Sequence, residues 1–195
     1  KELGLDAEDV AVTCVAEFTS TKNHAFLLEA WRIATEQGVR GQLLLVGDGR
    51  LRETMEQKVN KERIPRVRFL GFRRDVPRIL QATDIVVLSS RWEGLPRSVM
   101  EAMASGKPVV ATDVRGTRDL VEHGVSGFLT KLGHVEGFAD ALLRLIRNPA
   151  LRERMGQVGR EKIRAYSVDR VIQEMSEIYG CYLGRNRAGR PGRHD

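Results

Sequence analysis

The sequence predicts a doubly wound α/β domain built on a parallel sheet. Short apolar, β-branched runs alternate along the chain with longer segments whose apolar residues recur at helical spacing. The connections between successive runs are long enough for crossover helices, which parallel pairing requires. Several runs are apolar at nearly every position, as is typical of strands covered by helices on both faces. We therefore expect a single Rossmann-like domain that binds ligands beyond the carboxyl ends of its strands.

Three strands and three helices are predicted in the first half of the chain. The strands are residues 10–16, 42–46 and 67–70. The first helix is indicated by apolar residues at helical spacing, namely Phe26, Leu27, Ala30, Trp31 and Ala34. The second is indicated in the same way by Leu51, Met55 and Val59, and the third is short, at residues 76–82. Gly47-Asp48-Gly49 lacks the spacing of a nucleotide-binding glycine loop, so we interpret it as a turn from strand to helix.

The second half is predicted to continue the alternation and to end in three helices. The strands are residues 85–88, 109–111 and 128–129. A helix is expected within residues 112–121, with Gly116 or Thr117 near its cap. The last three helices are residues 135–146, residues 151–165 and a segment capped by Ser167 whose apolar residues are Val171, Ile172, Met175, Ile178 and Tyr179.

The organising segment is residues 85–111, predicted as strand, loop, helix and strand. Pro96 suits the first turn of the helix, and Gly106 with Pro108 ends it. The first amides of such a helix have no helical acceptor and lie beside the carboxyl end of a strand, which favours a phosphate. Glu93 in the loop and Glu101 in the second helical turn are expected to face one crevice.

Composition predicts one soluble domain followed by a short tail. The chain has 195 residues, of which 42% are hydrophobic and 30% charged, enough for one core. We expect a folded domain over residues 1–183 and a basic, disordered tail over 184–195, whose four arginines and one aspartate account for half of the net charge of +6. The chain begins without methionine, so we expect a segment of a longer protein.

Charge and cysteine usage narrow the function classes. Aromatic residues are 6% of the chain and scattered, which argues against a nucleic-acid-binding surface. Cys14 and Cys181 are far apart and are expected to be free thiols of a cytoplasmic protein. The four histidines show no metal-ligand spacing, so no metal is expected. No apolar run approaches the ~20 residues of a membrane span, which leaves at most peripheral contact with the inner face of a membrane.

The region around the two glutamates resembles a known family. Seven residues separate Glu93 from Glu101, and the surrounding string carries five further matching residues, which are Gly94, Ala102, Gly106, Pro108 and Val109. This pattern is similar to the Glu-x7-Glu region of retaining glycosyltransferases of the GT-B fold, group 1, family 4. The likeness runs over residues 12–179. It implies the C-terminal, donor-binding half of such an enzyme, with the acceptor-binding N-terminal domain absent.

The resemblance implies roles for particular residues. Glu93 would lie by the donor sugar and Lys22 by the diphosphate, as the catalytic pair. The residues expected to bind the donor are Glu101 at the ribose, Gly94, Leu95, Arg97 and Ser98 at the phosphates, Arg73 at the base, and Gly47 and Glu17 nearby. The family uses a nucleotide diphosphate sugar as substrate and needs neither cofactor nor metal. The acceptor would be a glycan, a lipid-linked sugar or a small molecule, in polysaccharide biosynthesis.

Glu17 departs from the family pattern. The family has an arginine where Glu17 stands, and that arginine and a lysine together clamp the donor's diphosphate. Lys22 matches the lysine, but a carboxylate near two phosphates is repulsive. Glu17 is therefore expected to turn away, to pair with Lys22 or Arg97, or to meet hydroxyls of the sugar.

Three alternatives to an active transferase half remain open from the sequence. The chain could be a catalytically inactive nucleotide-sugar-binding module or part of a GT-B type UDP-sugar epimerase. The third alternative, from a different class, is a basic protein that binds nucleic acid or a membrane surface through its tail. That class predicts binding that falls steeply with salt and is lost when residues 184–195 are deleted.

Overall fold

Six parallel strands form one sheet in the order β3-β2-β1-β4-β5-β6. The computed structural model describes residues 3–6 and 8–188. The strands are β1 Val10–Val15, β2 Gly41–Val46, β3 Val67–Gly71, β4 Ile85–Leu88, β5 Val109–Thr112 and β6 Gly127–Thr130. All six strands predicted from the sequence are present, and the parallel, doubly wound class is confirmed.

Eight helices connect or follow the strands in the described part of the chain. They are α1 His24–Glu36, α2 Arg52–Lys61, α3 Val76–Gln81, α4 Arg97–Ala104, α5 Arg115–Leu120, α6 Val135–Ile146, α7 Pro149–Ile163 and α8 Val168–Ala188, with a 3-10 turn at Arg164–Tyr166. The predicted start of α7 at residue 151 was two residues late. Asn148 caps this helix by accepting the amide of Leu151 at 2.9 Å, so Pro149 occupies the first turn.

Both faces of the sheet are covered, because consecutive residues of the central strands enter different cores. Ile85 and Val87 of β4 pack in a cluster with α1 and α6, which contains Trp31 and Phe138. Val86 and Leu88 pack in a second cluster with α4 and α5. A strand buried on both faces must be apolar throughout.

The strand order reverses between β1 and β4. Strand β1 pairs with β2 on one side and with β4 on the other. The chain therefore leaves β1 toward α1 on one face of the sheet and leaves β4 toward α4 on the other. Loops that diverge from neighbouring carboxyl ends leave a crevice between them, which is where ligands bind in open α/β sheets.

The chain ends in a helix that is largely exposed. Residues Ile172, Met175, Ile178 and Tyr179 of α8 are between 47% and 64% exposed, so the apolar spacing found in the sequence does not mark a face buried within this chain. Helix α8 reaches Ala188 and so includes the first five residues of the segment predicted as a tail. Residues 189–195 lie outside the described residues. The helices of the described segments are each too short or too polar to span a bilayer.

Candidate functional site

The crevice between β1 and β4 holds a buried ion pair. Lys22, in the loop after β1, places Nζ 2.6 Å from Oε1 of Glu93, in the loop after β4. The Glu93 carboxylate is 8% exposed and the Lys22 side chain 27%. A carboxylate this buried requires a charged or strongly donating partner. The structure therefore brings together the two residues that the sequence analysis assigned to catalysis.

Local backbone conformation sets the position of Lys22. The next residue, Asn23, has a φ of 54° and a ψ of 44°, in the left-handed region that asparagine tolerates better than most residues. Helix α1 starts directly afterwards, and the amides of Phe26 and Leu27 donate to the Asn23 carbonyl. This sharp entry into α1 turns Lys22 toward the crevice.

A buried imidazole, that of His24, follows Lys22 by two residues. His24 stacks on Phe18, with ring centroids 4.1 Å apart, and its Nε2 is 3.9 Å from Sγ of Cys14. Burial lowers the pKa of His24 to about 4, with a smaller contribution from the positive charge of Lys22. Burial also raises the pKa of the Cys14 thiol to about 12. Both side chains are therefore neutral at physiological pH, and Lys22 is close enough for its charge to act on each of them.

A cavity of about 440 Å³ opens at the carboxyl ends of β1, β2 and β3. It is lined by Val15, Ala16, Glu17, Val46, Gly47, Asp48, Phe72, Arg73 and Val76. Glu17, Gly47 and Arg73, which the sequence analysis named separately, therefore share one pocket. Gly47 has a φ of 143°, and a Cβ there would lie 2.1 Å from the Ala16 carbonyl oxygen, so the turn accepts only glycine.

The guanidinium of Arg73 is held by Asp75. Nε and Nη2 of Arg73 donate to the two carboxylate oxygens of Asp75, both at 2.7 Å. These hydrogen bonds lower the pKa of Asp75 to about 2. A bidentate pair fixes the plane of the guanidinium, so Arg73 presents a flat cation at the wall of the cavity.

The start of α4 is exposed, as an anion site requires. Gly94, Leu95 and Arg97 are exposed, and Ser98 is partly exposed. Pro96 is the cap of the helix rather than a residue of its first turn, so the sequence interpretation was one residue off. The amides of Arg97 and Ser98 open the helix and have no acceptor within it.

Glu101 lies in different surroundings from Glu93. Its carboxylate is 42% exposed and is 3.8 Å from Nη2 of Arg97. Glu101 also lines a cavity of about 420 Å³ between α4 and the end of α7, together with Arg160 and Tyr166. That the two glutamates share one crevice stays a prediction.

The sequence analysis named Gly116 near the cap of α5 but did not predict its contact with the Glu93 loop. A Cβ on Gly116, near the start of α5, would lie 2.0 Å from the carbonyl oxygen of Gly94. The start of helix α5 thus packs directly against the backbone of the Glu93 loop. Gly116 is the second residue of α5 and Thr117 the third, because Val114 is the cap. In the described segments, no three His, Cys, Asp or Glu side chains are arranged to hold a metal ion.

Known proteins are similar in sequence to this chain. The family described as glycosyl transferases group 1 matches residues 1–162. A putative glycosyltransferase of Bacillus subtilis, EpsD, is 34% identical over 181 residues, which are 92% of this chain and 48% of that protein. The α-1,3-galactosyltransferase of Escherichia coli that acts with UDP-Gal and α-D-GlcNAc-diphosphoundecaprenol is 27% identical, over 92% of this chain and 47% of its own length.

A solved structure of a similar protein has the same fold and also extends beyond the part that this chain matches. HepE of Anabaena in complex with UDP-glucose superimposes with a TM-score of 0.80 and is 28% identical, over 90% of this chain and 50% of that one. The chain thus spans about half the length of the relatives and of the structure that it matches. Since the family match covers most of its length, the chain belongs to the group 1 glycosyl transferases.

Proposed function

We propose that this chain is the donor-binding half of a retaining glycosyltransferase, which moves a hexose from a nucleotide diphosphate sugar to an acceptor hydroxyl without a metal ion. The observation that carries this proposal is the Lys22–Glu93 ion pair at the crevice between β1 and β4. Breaking a sugar–phosphate bond develops negative charge on the phosphate oxygen and positive charge on the sugar. The pair supplies a cation that can stabilise the first and a carboxylate that can stabilise the second.

The donor would lie across the crevice in an extended form. The base would enter the cavity lined by Gly47 and Arg73, with Arg73 along its face. The diphosphate would reach Lys22 and the free amides at the start of α4, where the helix dipole favours an anion. Glu93 would then receive hydroxyl groups of the sugar, and Glu101 would accept hydrogen bonds from the ribose.

The reaction separates charge at the anomeric carbon. The carbon–oxygen bond to the diphosphate breaks, and both of its electrons leave with the phosphate oxygen. Lys22, Arg97 and the α4 amides would stabilise the leaving group, and one such donor contributes on the order of 3–4 kcal/mol in comparable oxyanion sites. Glu93 would orient the sugar and favour its developing positive charge. The proton of the acceptor hydroxyl would leave with the nucleoside diphosphate, on the same face of the sugar.

Glu17 fits this proposal as a residue outside the diphosphate clamp. It is exposed, and its Cγ lies next to Gly49, since a Cβ on that glycine would be 3.1 Å away. The phosphate charge would therefore be met by Lys22 from the loop after β1 and by Arg97 at the start of α4. Glu17 is left to face the sugar or solvent at the mouth of the cavity.

The relatives support a nucleotide sugar as substrate and a lipid-linked acceptor as one class of partner. The Escherichia coli relative is named for UDP-Gal and a diphosphoundecaprenol-linked sugar, and the Anabaena structure holds UDP-glucose. We place the acceptor site in the half of the protein that this chain does not cover. A lipid-linked acceptor would bring the enzyme to the cytoplasmic face of the membrane.

A nucleotide-sugar screen tests the proposal. UDP-, GDP- and ADP-glucose, each compared with its bare diphosphate, would be titrated into this chain by calorimetry and by thermal shift. A ligand at 100 times its Kd should add about 2.7 kcal/mol to the free energy of unfolding. If no nucleotide sugar binds, the proposal is wrong. If binding occurs but the full-length enzyme releases free sugar without an acceptor, the function is that of an epimerase.

A further inference from the structure

Two consecutive serines follow β4 directly, and both are fully buried. Ser89 and Ser90 have 0% exposed surface. A buried hydroxyl needs a hydrogen-bond partner, because its desolvation is otherwise uncompensated. The two hydroxyls serve different neighbours, since that of Ser89 contacts the loop after β1 and that of Ser90 contacts Glu93.

The Ser89 hydroxyl fixes the backbone at Lys22. Its Oγ lies 2.8 Å from the Lys22 carbonyl and 3.2 Å from that of Asn23, and it donates to this pair of acceptors. A second tie lies beside it, since the amide of Arg91 donates to the Thr21 carbonyl at 2.8 Å. The loop after β1 is therefore anchored to the end of β4 on both sides of Lys22.

The Ser90 hydroxyl holds Glu93. Its Oγ donates to Oε1 of Glu93 at 2.5 Å, the same oxygen that receives Nζ of Lys22. Oε2 of Glu93 receives no hydrogen bond within the described part of the chain. In that part, the fully buried side-chain nitrogen or oxygen that lacks a hydrogen-bond partner is Nδ1 of His24. Since Oε2 of Glu93 also lacks a partner, it is not fully buried. One carboxylate oxygen is thus committed to hydrogen bonds within the protein, and the other is in contact with solvent.

Two threonine hydroxyls, from β5 and α5, support the backbone of Ser90. Oγ1 of Thr112 donates to the Ser90 carbonyl at 2.5 Å, and Oγ1 of Thr117 lies 2.5 Å from the Thr112 carbonyl, to which it donates. Thr112 and Thr117 are both fully buried. A fully satisfied buried network of this kind is rigid, which is what a residue that orients a substrate group requires.

We propose that Ser90 is a positioning residue for Glu93, supported by Thr112 and Thr117, and that Ser89 positions Lys22. This inference rests on the proposed function, in which Glu93 meets the sugar and Lys22 the diphosphate. The two serines therefore act on different parts of the donor. Ser90 sets the affinity for the sugar, and Ser89 sets the affinity for the diphosphate.

Binding to single-residue variants separates the two roles. The probes are the glucose nucleotide that the wild type binds, among UDP-, GDP- and ADP-glucose, and the corresponding bare diphosphate. Ser90→Ala should lower the affinity for the glucose nucleotide about tenfold and that for the diphosphate less than about twofold. Ser89→Ala should lower both affinities by the same factor. The matched control is Ser126→Ala, which removes a buried hydroxyl that accepts the Glu122 amide at 2.9 Å, and both affinities should stay unchanged.

Two further variants keep the test decisive if Ser90→Ala does not fold. Thr112→Val removes the supporting hydroxyl at nearly constant volume and should show the Ser90→Ala pattern, whereas Thr112→Ser should restore wild-type binding. If the ratio of the two affinities is unchanged in Ser90→Ala, or in Thr112→Val where the former is unfolded, the positioning role is wrong while the proposed function stands. A wild type that binds no nucleotide sugar overturns both.

Discussion

Nζ of Lys22 and Oε1 of Glu93 lie 2.6 Å apart although the two residues are 71 positions apart in the chain. Strand β4 pairs with β1 at the centre of the sheet, so the loops that follow these two strands start side by side. The ion pair is thus a consequence of strand order. It also sits where the two halves of the sheet diverge, which is the expected position for a ligand.

Removal of Lys22 should destabilise the domain, and additional removal of the Glu93 charge should recover much of the loss. Lys22→Met leaves a carboxylate that is 8% exposed with Ser90 as its remaining donor. We expect a loss of about 2 kcal/mol in the free energy of unfolding, reduced from the full cost of a broken buried pair by the partial exposure of Lys22. The double variant Lys22→Met/Glu93→Gln should recover at least half of that loss. Urea unfolding measures both.

Lys58→Met is the matched control for this experiment. Nζ of Lys58 lies 2.5 Å from Oε1 of Glu62, and the Lys58 side chain is 26% exposed, close to the value for Lys22. Glu62 is 36% exposed and follows Lys58 by four residues at the end of α2, so water can replace its partner. The loss should be below about 0.5 kcal/mol. Equal losses in Lys22→Met and Lys58→Met would contradict the view that Glu93 depends on Lys22.

Glu93→Gln should reduce turnover more than donor affinity in the full-length enzyme. The amide keeps the hydrogen bond from Ser90, so the loop stays in place. The negative charge that favours an oxocarbenium-like sugar is lost, and this charge matters most in the transition state. We expect kcat to fall at least about 100-fold, with the Kd for the donor changing less than about fivefold. Equal losses in both would indicate a binding role alone.

Much of the fold could be read from local sequence. The boundaries of β4, Ile85–Leu88, and of α6, Val135–Ile146, are those predicted, because a run apolar at each position and a strong helical stripe both end at clear breaks. The start of α7 was missed although asparagine and proline are preferred at the cap and the first turn of a helix, because Asn148 follows the end of α6 by only two residues.

The site could be predicted only in part. Glu93 and Lys22 were found through the family pattern, but their contact depends on which strands are neighbours. Ser89 and Ser90 were not assigned a role from the sequence, since the function of a buried hydroxyl depends on its hydrogen-bond partner. The direction of Glu101 depends on how α4 packs against α7, which helical spacing does not contain.

Gly116→Ala should destabilise the domain and weaken donor binding. The added Cβ would meet the Gly94 carbonyl at 2.0 Å, and backbone atoms cannot rotate away as a side chain can. We expect a loss of about 2–3 kcal/mol, typical of overpacking, and displacement of the Glu93 loop. Gly94→Ala is the control for stability, because a Cβ there meets nothing within 4 Å. A Gly116→Ala variant as stable as the wild type would show that α5 does not carry this loop.

Glu101→Gln tests whether this residue reaches the ribose. If it does, the variant should bind a nucleoside diphosphate about tenfold less tightly, and the preference for ribose over 2′-deoxyribose should shrink. Glu101 is half exposed and pairs loosely with Arg97 at 3.8 Å, so the free energy of unfolding should change by less than about 0.5 kcal/mol. Unchanged binding of both nucleotides would assign Glu101 to the cavity near Arg160 and Tyr166 instead.

His24 should make the domain less stable in mild acid. Its pKa is about 4 in the folded protein, against an ordinary value of 6.5, because burial disfavours the charged ring. Between pH 6.5 and about pH 4, His24 binds a proton in the unfolded chain but not in the folded chain. The free energy of unfolding therefore falls as the pH decreases through this range. From about pH 8 to about pH 5 we expect a loss of about 2 kcal/mol from this residue. His24→Phe, which keeps a ring against Phe18, should flatten the urea-unfolding profile over the same range. If that variant keeps the wild-type slope, the pH dependence arises from other groups.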